Sequence, residues 1–127
     1  MSRELVGPRP DANFSQAVRV DNVIHVAGQV AMNENREFVG EGDAEAQARQ
    51  CFANLARVLG EAGSSIEDVV KLTAYLVATE HYPGYAAAKK EYLTTALPAG
   101  TAVIVAGLMD PRFLIEIEAV AVVPSDG

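Results

Sequence analysis

The stretch FLIEIEAVAVV, residues 113–123, decides the fold. Its side chains alternate. Phe113, Ile115, Ile117, Ala119 and Ala121 share one face; Leu114, Glu116, Glu118, Val120 and Val122 share the other. Period two over this length is the signature of a β-strand. The first set is wholly apolar and suits a face packed on helices. The second set is apolar as well, except for two acids two residues apart. The strand therefore belongs to a sheet whose second face is not an ordinary solvated surface.

Working outward, Thr101 to Ala106 reads as a strand apolar on both faces, joined to the last strand by a connection over residues 107–112. Pro98-Ala99-Gly100 breaks the chain before it. Val69 to Ala78 alternates again, with Val70, Leu72, Ala74 and Leu76 on one face and Lys71, Thr73, Tyr75 and Val77 on the other. A helix begins near Tyr82, with Pro83 accepted in its first turn and Tyr85, Ala88 and Tyr92 as its apolar stripe. A longer helix runs from about Asp43 to Ala62. Asp43 is its N-cap, Ala44, Ala48, Cys51, Leu55 and Val58 form the stripe, and Gly63 ends it. Ala17 to Val20 and Val23 to Gln29 read as strands around a tight Asp21-Asn22 turn. Residues 30–42 read as a loop and residues 1–13 as an irregular arm.

The order ββαβαββ predicts an α+β fold: two helices on one face of a mixed sheet, taken as four-stranded. With no repeat, linker or low-complexity tract, residues 1–127 are expected to form one domain. The uncovered apolar face calls for a partner, and a second copy of the chain is the simplest one.

Composition narrows the function. Half of the 127 residues are hydrophobic, enough for a real core. The 17 acidic and 10 basic residues give a net charge of −7, which argues against nucleic acid and anionic membranes as partners. The single cysteine, Cys51, excludes an internal disulfide and a multi-cysteine metal site. The polar, proline-containing start lacks the apolar stretch of a secretory signal, and a cytoplasmic location is expected.

Few residues are placed for chemistry. Glu116 and Glu118 lie in an apolar run and point the same way. Burial would raise their pKa values and make one a general base toward water. The plainer reading is a solvated edge or an inter-subunit ion pair, with Lys71 as a candidate cation. His25 lies on the Ala27 face of its strand, where it lines a pocket or packs in an interface; His81 reads as a loop residue. The two histidines have no metal-ligand spacing, and no metal is expected. Cys51 lies on the helix stripe and reads as a core thiol. Gly28-Gln29, at a strand end, would let backbone approach a ligand.

Four segments in collinear order carry a family resemblance: VIHVAGQVAMN (residues 23–33), AEAQARQCFANLARVLGEAG (44–63), DVVKLTAYLV (68–77) and LIEIEAVAVV (114–123). Together they resemble the RidA/YjgF (Rid) family over about residues 14–123. The resemblance implies a chorismate-mutase-like fold and a homotrimer whose sheets form a central barrel, with ligands in clefts between subunits. It implies cofactor-free hydrolysis of reactive enamines and imines to a 2-oxo acid and ammonia.

Residue by residue, Glu116 matches the family's water-activating Glu and Glu118 the second acid of I-E-I-E, while Gly28 and Gln29 match a G-Q pair. Phe14 stands where the archetype has Tyr, and Ala27 where it has Ser. In PAGTA, residues 98–102, Gly100 replaces the Arg that holds the substrate carboxylate and Ala102 replaces a Cys, with Thr101 between them. Losing a charge-assisted carboxylate anchor of that kind costs on the order of 2–5 kcal/mol. The expected cleft is larger and less polar, lined by Phe14, Ala27, Gly28, Gly100, Thr101 and Ala102, with Tyr92 and His25 as further candidates. It would suit a ligand without a carboxylate. Two functions follow: a hydrolase of a small imine or enamine using Glu116, distinct from the archetypal 2-iminopropanoate deaminase, or a non-catalytic small-molecule-binding or regulatory trimer. A ribonuclease role conflicts with the charge and with the lack of cationic stabilisers.

Overall fold

The structure is a computed structural model that describes residues 2–124; Met1 of the expected arm and the last three residues of the expected domain lie outside it. Its main elements are β1 (Arg3–Arg9), β2 (Phe14–Val20), β3 (Val23–Gln29), α1 (Ala44–Glu61), β4 (Val69–Leu76), α2 (Tyr82–Tyr92), β5 (Ala99–Ile104) and β6 (Ile115–Val122). They form one mixed sheet in the order β1-β2-β3-β6-β4-β5, antiparallel throughout except for the parallel pair β4 and β5. Both helices lie on one face, as expected for the α+β, chorismate-mutase-like class.

The sheet has six strands, not four. The order ββαβαββ itself contains five, and the expected irregular arm supplies the sixth as β1. That strand pairs with β2 from Arg3↔Val20 to Arg9↔Phe14. Pro8 is tolerated because β1 is an edge strand, and Gly7 at φ +55 absorbs the irregularity. Ala99 and Gly100, read as part of a chain break, instead open β5.

The β2–β3 turn has Asp21 at φ +54, the left-handed conformation that Asp tolerates. In α1 the Asp43 carboxylate accepts from the Ala46 backbone N–H at 3.1 Å. The last turn is closed by Arg19, whose Nη1 donates to the Ala62 carbonyl at 2.7 Å. The apolar stripe of α1 is fully buried from Ala48 to Val58, with Ala44 at its start half-buried, and Phe52 stacks between Tyr85 and Tyr92 of α2 at 6.1 and 5.4 Å.

The core lies between the helices and the sheet. β6 contributes Ile115, Ile117, Ala119 and Ala121; β3 contributes Ile24 and Val26. β4 contributes Leu72, Ala74 and Leu76 as expected, but Val69 rather than Val70. The pairing slips between Val69↔Ala121 and Lys71↔Val120, so one extra residue sits in β4 and Val70 is turned out to solvent.

Two buried amides tie the loops to α1. Gln47 donates to the carbonyls of Gly40 and Arg112 and accepts from the Leu114 N–H at 2.8 Å. Asn54 donates to the carbonyls of Val30 and Met32, both at 2.9 Å, and so fixes the chain as it leaves β3.

Candidate functional site

The open face of the sheet, opposite the helices, holds the candidate chemistry. β6 presents Glu116 and Glu118 there, and the antiparallel register sets Tyr75 of β4 opposite Glu116 and Thr73 opposite Glu118. The Tyr75 hydroxyl reaches diagonally and donates to the Glu118 carboxylate. That bond, followed by burial and the two nearby negative charges, keeps the phenol protonated beyond its usual range. Glu118 is thus a held acceptor. Glu116 makes no hydrogen bond or ion pair among the described residues. Its carboxyl sits above the ordinary carboxylate range, first because burial disfavours the charge and second because Glu118 repels it.

A glycine makes room for Glu116. β3 loses register between Val26↔Ala119 and Gln29↔Ile117, which brings Gly28 against the acid. A Cβ at Gly28 would lie 2.0 Å from Glu116 Oε2. Gly28 therefore serves the neighbouring carboxylate rather than a turn. Beside it, a cavity of about 420 Å³ is lined by Phe14, Gly28 and Gln29, and by Arg9, Arg36 and Arg57. Composition hid these cations, because they come from β1, the loop after β3 and α1. They are engaged: Arg9 is paired with Asp11 at 2.9 Å, Arg36 lies 3.9 Å from the same carboxylate, and Arg57 donates to Asn54 Oδ1 at 3.0 Å.

The sequence candidates thus separate into two sets. Glu116 and Phe14 meet Gly28 at the end of β3, where Ala27 is the preceding residue of the strand and does not line the cavity. Gly100 and Ala102 lie elsewhere, in register with Leu72 and Ala74, so they face the helix side of the edge strand β5. Gly100 opens onto a separate cavity of about 310 Å³. Thr101 is on the open face two strands from β6, where its Oγ1 accepts from Lys71 Nζ at 2.6 Å. Lys71 therefore forms no ion pair with either glutamate within the chain. His25 is exposed on the open face opposite Val120, one row beyond Glu118. Tyr92 is packed on Phe52 between the helices. Cys51 is fully buried, and burial with a smaller push from Glu116 raises its thiol pKa, as fits a core thiol. No cluster of three His, Cys, Asp or Glu side chains placed for a metal ion occurs among the described residues. Tyr75 was missed as a site residue; only its strand face was legible.

The family model described as endoribonuclease L-PSP matches residues 5–123. The chain belongs to this family, the RidA/YjgF family. Among RidA/YjgF relatives, the chain is similar to a 3-aminoacrylate deaminase RutC of Acinetobacter baylyi, 36% identical over 95% of this chain and 98% of the relative. It is also similar to a 2-iminobutanoate/2-iminopropanoate deaminase of Mus musculus, 36% identical over 86% of this chain and 80% of the relative. The crystal structure of RidA from the Antarctic bacterium Psychrobacter superposes with a TM-score of 0.80 at 32% identity, covering 87% of this chain and 88% of that one. No helix among the described residues is long and apolar enough to cross a membrane.

Proposed function

We propose that the chain is a RidA/YjgF hydrolase that uses Glu116 to activate water against a small imine or enamine lacking the 2-carboxylate of 2-iminopropanoate. The reading rests on one observation: Glu116 is half-buried, unpaired and raised in pKa beside Gly28 and its cavity. A carboxylate in that state takes a proton from water as it attacks the imine carbon, and returns it to the departing nitrogen. Ammonia or an amine leaves with the carbonyl product.

Assembly completes the site in this reading. Gly100 and Ala102 lie on the opposite face of the sheet from Glu116, so one chain supplies each half and a second copy joins them. The proposed assembly is a homotrimer, each chain acting as one domain, with the ligand at the subunit interface. Light scattering is expected to give three times the 13.5 kDa chain mass, and a monomer at micromolar concentration refutes the assembly.

Gly100 supports the difference in substrate. It brings no guanidinium, and the arginines that line the Gly28 cavity are already turned to Asp11 and Asn54. The test is ammonia or amine release. 2-Iminopropanoate should give near-background rates, a carboxylate-free ketimine should be turned over, and Gly100→Arg should gain activity on 2-iminopropanoate. Wild-type turnover of 2-iminopropanoate matching an Arg-containing relative overturns the substrate argument. Ligand binding without turnover of any imine overturns the hydrolase in favour of a binding or regulatory trimer. The net charge of −7 gives no support to RNA as substrate.

A further inference from the structure

The second cavity has no assigned role. It lies between the end of α2 and the start of β5, holds about 310 Å³, and is lined by Leu72, Leu93, Leu97, Pro98 and Gly100, with Lys89 and Lys90. Leu72 is fully buried and forms its floor, whereas Leu97 is 78% exposed at its mouth. A Cβ at Gly100 would meet nothing within 4 Å, so the missing side chain is itself part of the opening. The lysines contribute stems rather than charge to the walls. The Lys89 ammonium is already turned onto the Tyr85 ring of its own helix, 5.1 Å from the centroid.

Size and lining identify what fits. An apolar cavity of about 150 Å³ lined by aliphatic side chains stays dry and binds benzene. This one has about twice that volume and a similarly apolar lining, although it is open at its mouth, with no polar group aimed inward from its floor or its leucine and proline walls. We infer that the Gly100 cavity is a binding subsite for a phenyl-sized or branched-alkyl substituent, and that Gly100 sets this specificity by leaving the cavity open. The inference rests on the proposed function for its link to catalysis, since a second copy must bring Glu116 to the substituent's reactive end. The substrate class then becomes an imine or enamine with a bulky apolar group in place of the carboxylate.

Binding is read without activity, by methyl NMR of the leucine-labelled full chain titrated with benzyl alcohol and with benzoate. Both probes are expected to shift the methyls of Leu72, Leu93 and Leu97, at similar concentrations. Gly100→Leu fills the space on a backbone that accepts a side chain, so the protein should stay folded and lose affinity by at least about tenfold. No shift with either probe overturns the subsite, including the case in which a neighbouring copy's side chain already fills it. So does binding of benzoate alone, which would mean recognition by the lysine charges, or binding that survives Gly100→Leu.

Turnover separates the two readings. Ketimines with methyl, isobutyl and benzyl substituents should rise in kcat/KM in that order, by about fourfold per added methylene, and Gly100→Leu should flatten the series. Benzyl alcohol binding without hydrolysis keeps the subsite and removes the hydrolase. Hydrolysis without probe binding or size preference does the reverse.

Discussion

Replacing Gly28 by alanine puts a methyl carbon into the space the Glu116 carboxylate occupies. The added Cβ would stand 2.0 Å from Glu116 Oε2, 2.9 Å from Cδ and 3.0 Å from Cγ. An ordinary contact begins at 3.4 Å, so the carboxylate must retreat by about 1.4 Å. The backbone itself admits alanine, because Gly28 is not among the glycines with positive φ. The collision is with the far end of a flexible side chain, so the fold should lose only about 1 kcal/mol, the cost of one off-rotamer acid. Catalysis is less forgiving: a displacement of about 1 Å at a reacting group costs on the order of a hundredfold in rate. Gly28→Ala should therefore shift the urea midpoint slightly while cutting turnover of a carboxylate-free ketimine by about two orders of magnitude. Carbon-13 carboxyl NMR should show Glu116 titrating at a lower pH as it swings toward solvent. An unchanged rate, or a Glu116 titration identical to wild type, refutes the claim that Gly28 makes room for the acid.

Glu116→Gln should lower turnover by about 10²–10⁴ without unfolding the protein. The wild-type rate should rise with pH through a midpoint above the ordinary Glu value, because the deprotonated form is the base. The stability sign is the opposite. A carboxyl whose folded pKa is raised supports the fold below its unfolded pKa, and that support is lost as pH rises through the folded value. At neutral pH urea denaturation should thus find the Gln variant no less stable than wild type. Glu118→Gln removes the negative charge that repels Glu116 and accepts from Tyr75. Both the Glu116 midpoint and the Tyr75 phenol midpoint, followed by ultraviolet titration, should fall. Phe52→Ala should cost about 3–5 kcal/mol by urea denaturation, since the ring is buried between Tyr85 and Tyr92; a loss below about 1 kcal/mol would mean that α2 is held by other contacts. Asn54→Ala removes the side-chain donor shared by the Val30 and Met32 carbonyls, of which Val30 keeps the Met32 N–H; it should cost about 1–3 kcal/mol and speed hydrogen exchange after β3.

What the sequence made legible were features with a period. The stripe from Ala44 to Val58 places α1, and the alternation around Glu116 places both acids on the face away from the helices. β1 was not legible, because Gly7, Pro8 and charged residues mask a strand that needs only one partner edge. The bulge at Val70 left no mark, since Val69 and Val70 are the same residue type and either fits the alternation. The site divides in the same way. Glu116 and Gly28 were nameable one by one, but the 2.0 Å conflict between them depends on a register slip in β3. Tyr75 reaches Glu118 by a diagonal that no spacing rule specifies. The arginines around the Gly28 cavity are far apart in sequence, and a net charge of −7 conceals them.

Gly84, near the start of α2, has a mechanical consequence. A Cβ there would lie 2.8 Å from the backbone nitrogen of Glu45, so the two helices meet backbone to backbone at their first turns. Farther along they are held apart by the rings of Phe52, Tyr85 and Tyr92. The pair is a lever with its fulcrum at Gly84. A small rotation about that point displaces the near end of α2 little and its far end most. The far end carries Lys89, Lys90 and Leu93, one wall of the cavity at Gly100. The width of that cavity should therefore respond to a glycine five to nine residues earlier in the chain, and a bulkier residue at position 84 is expected to change the cavity without lining it.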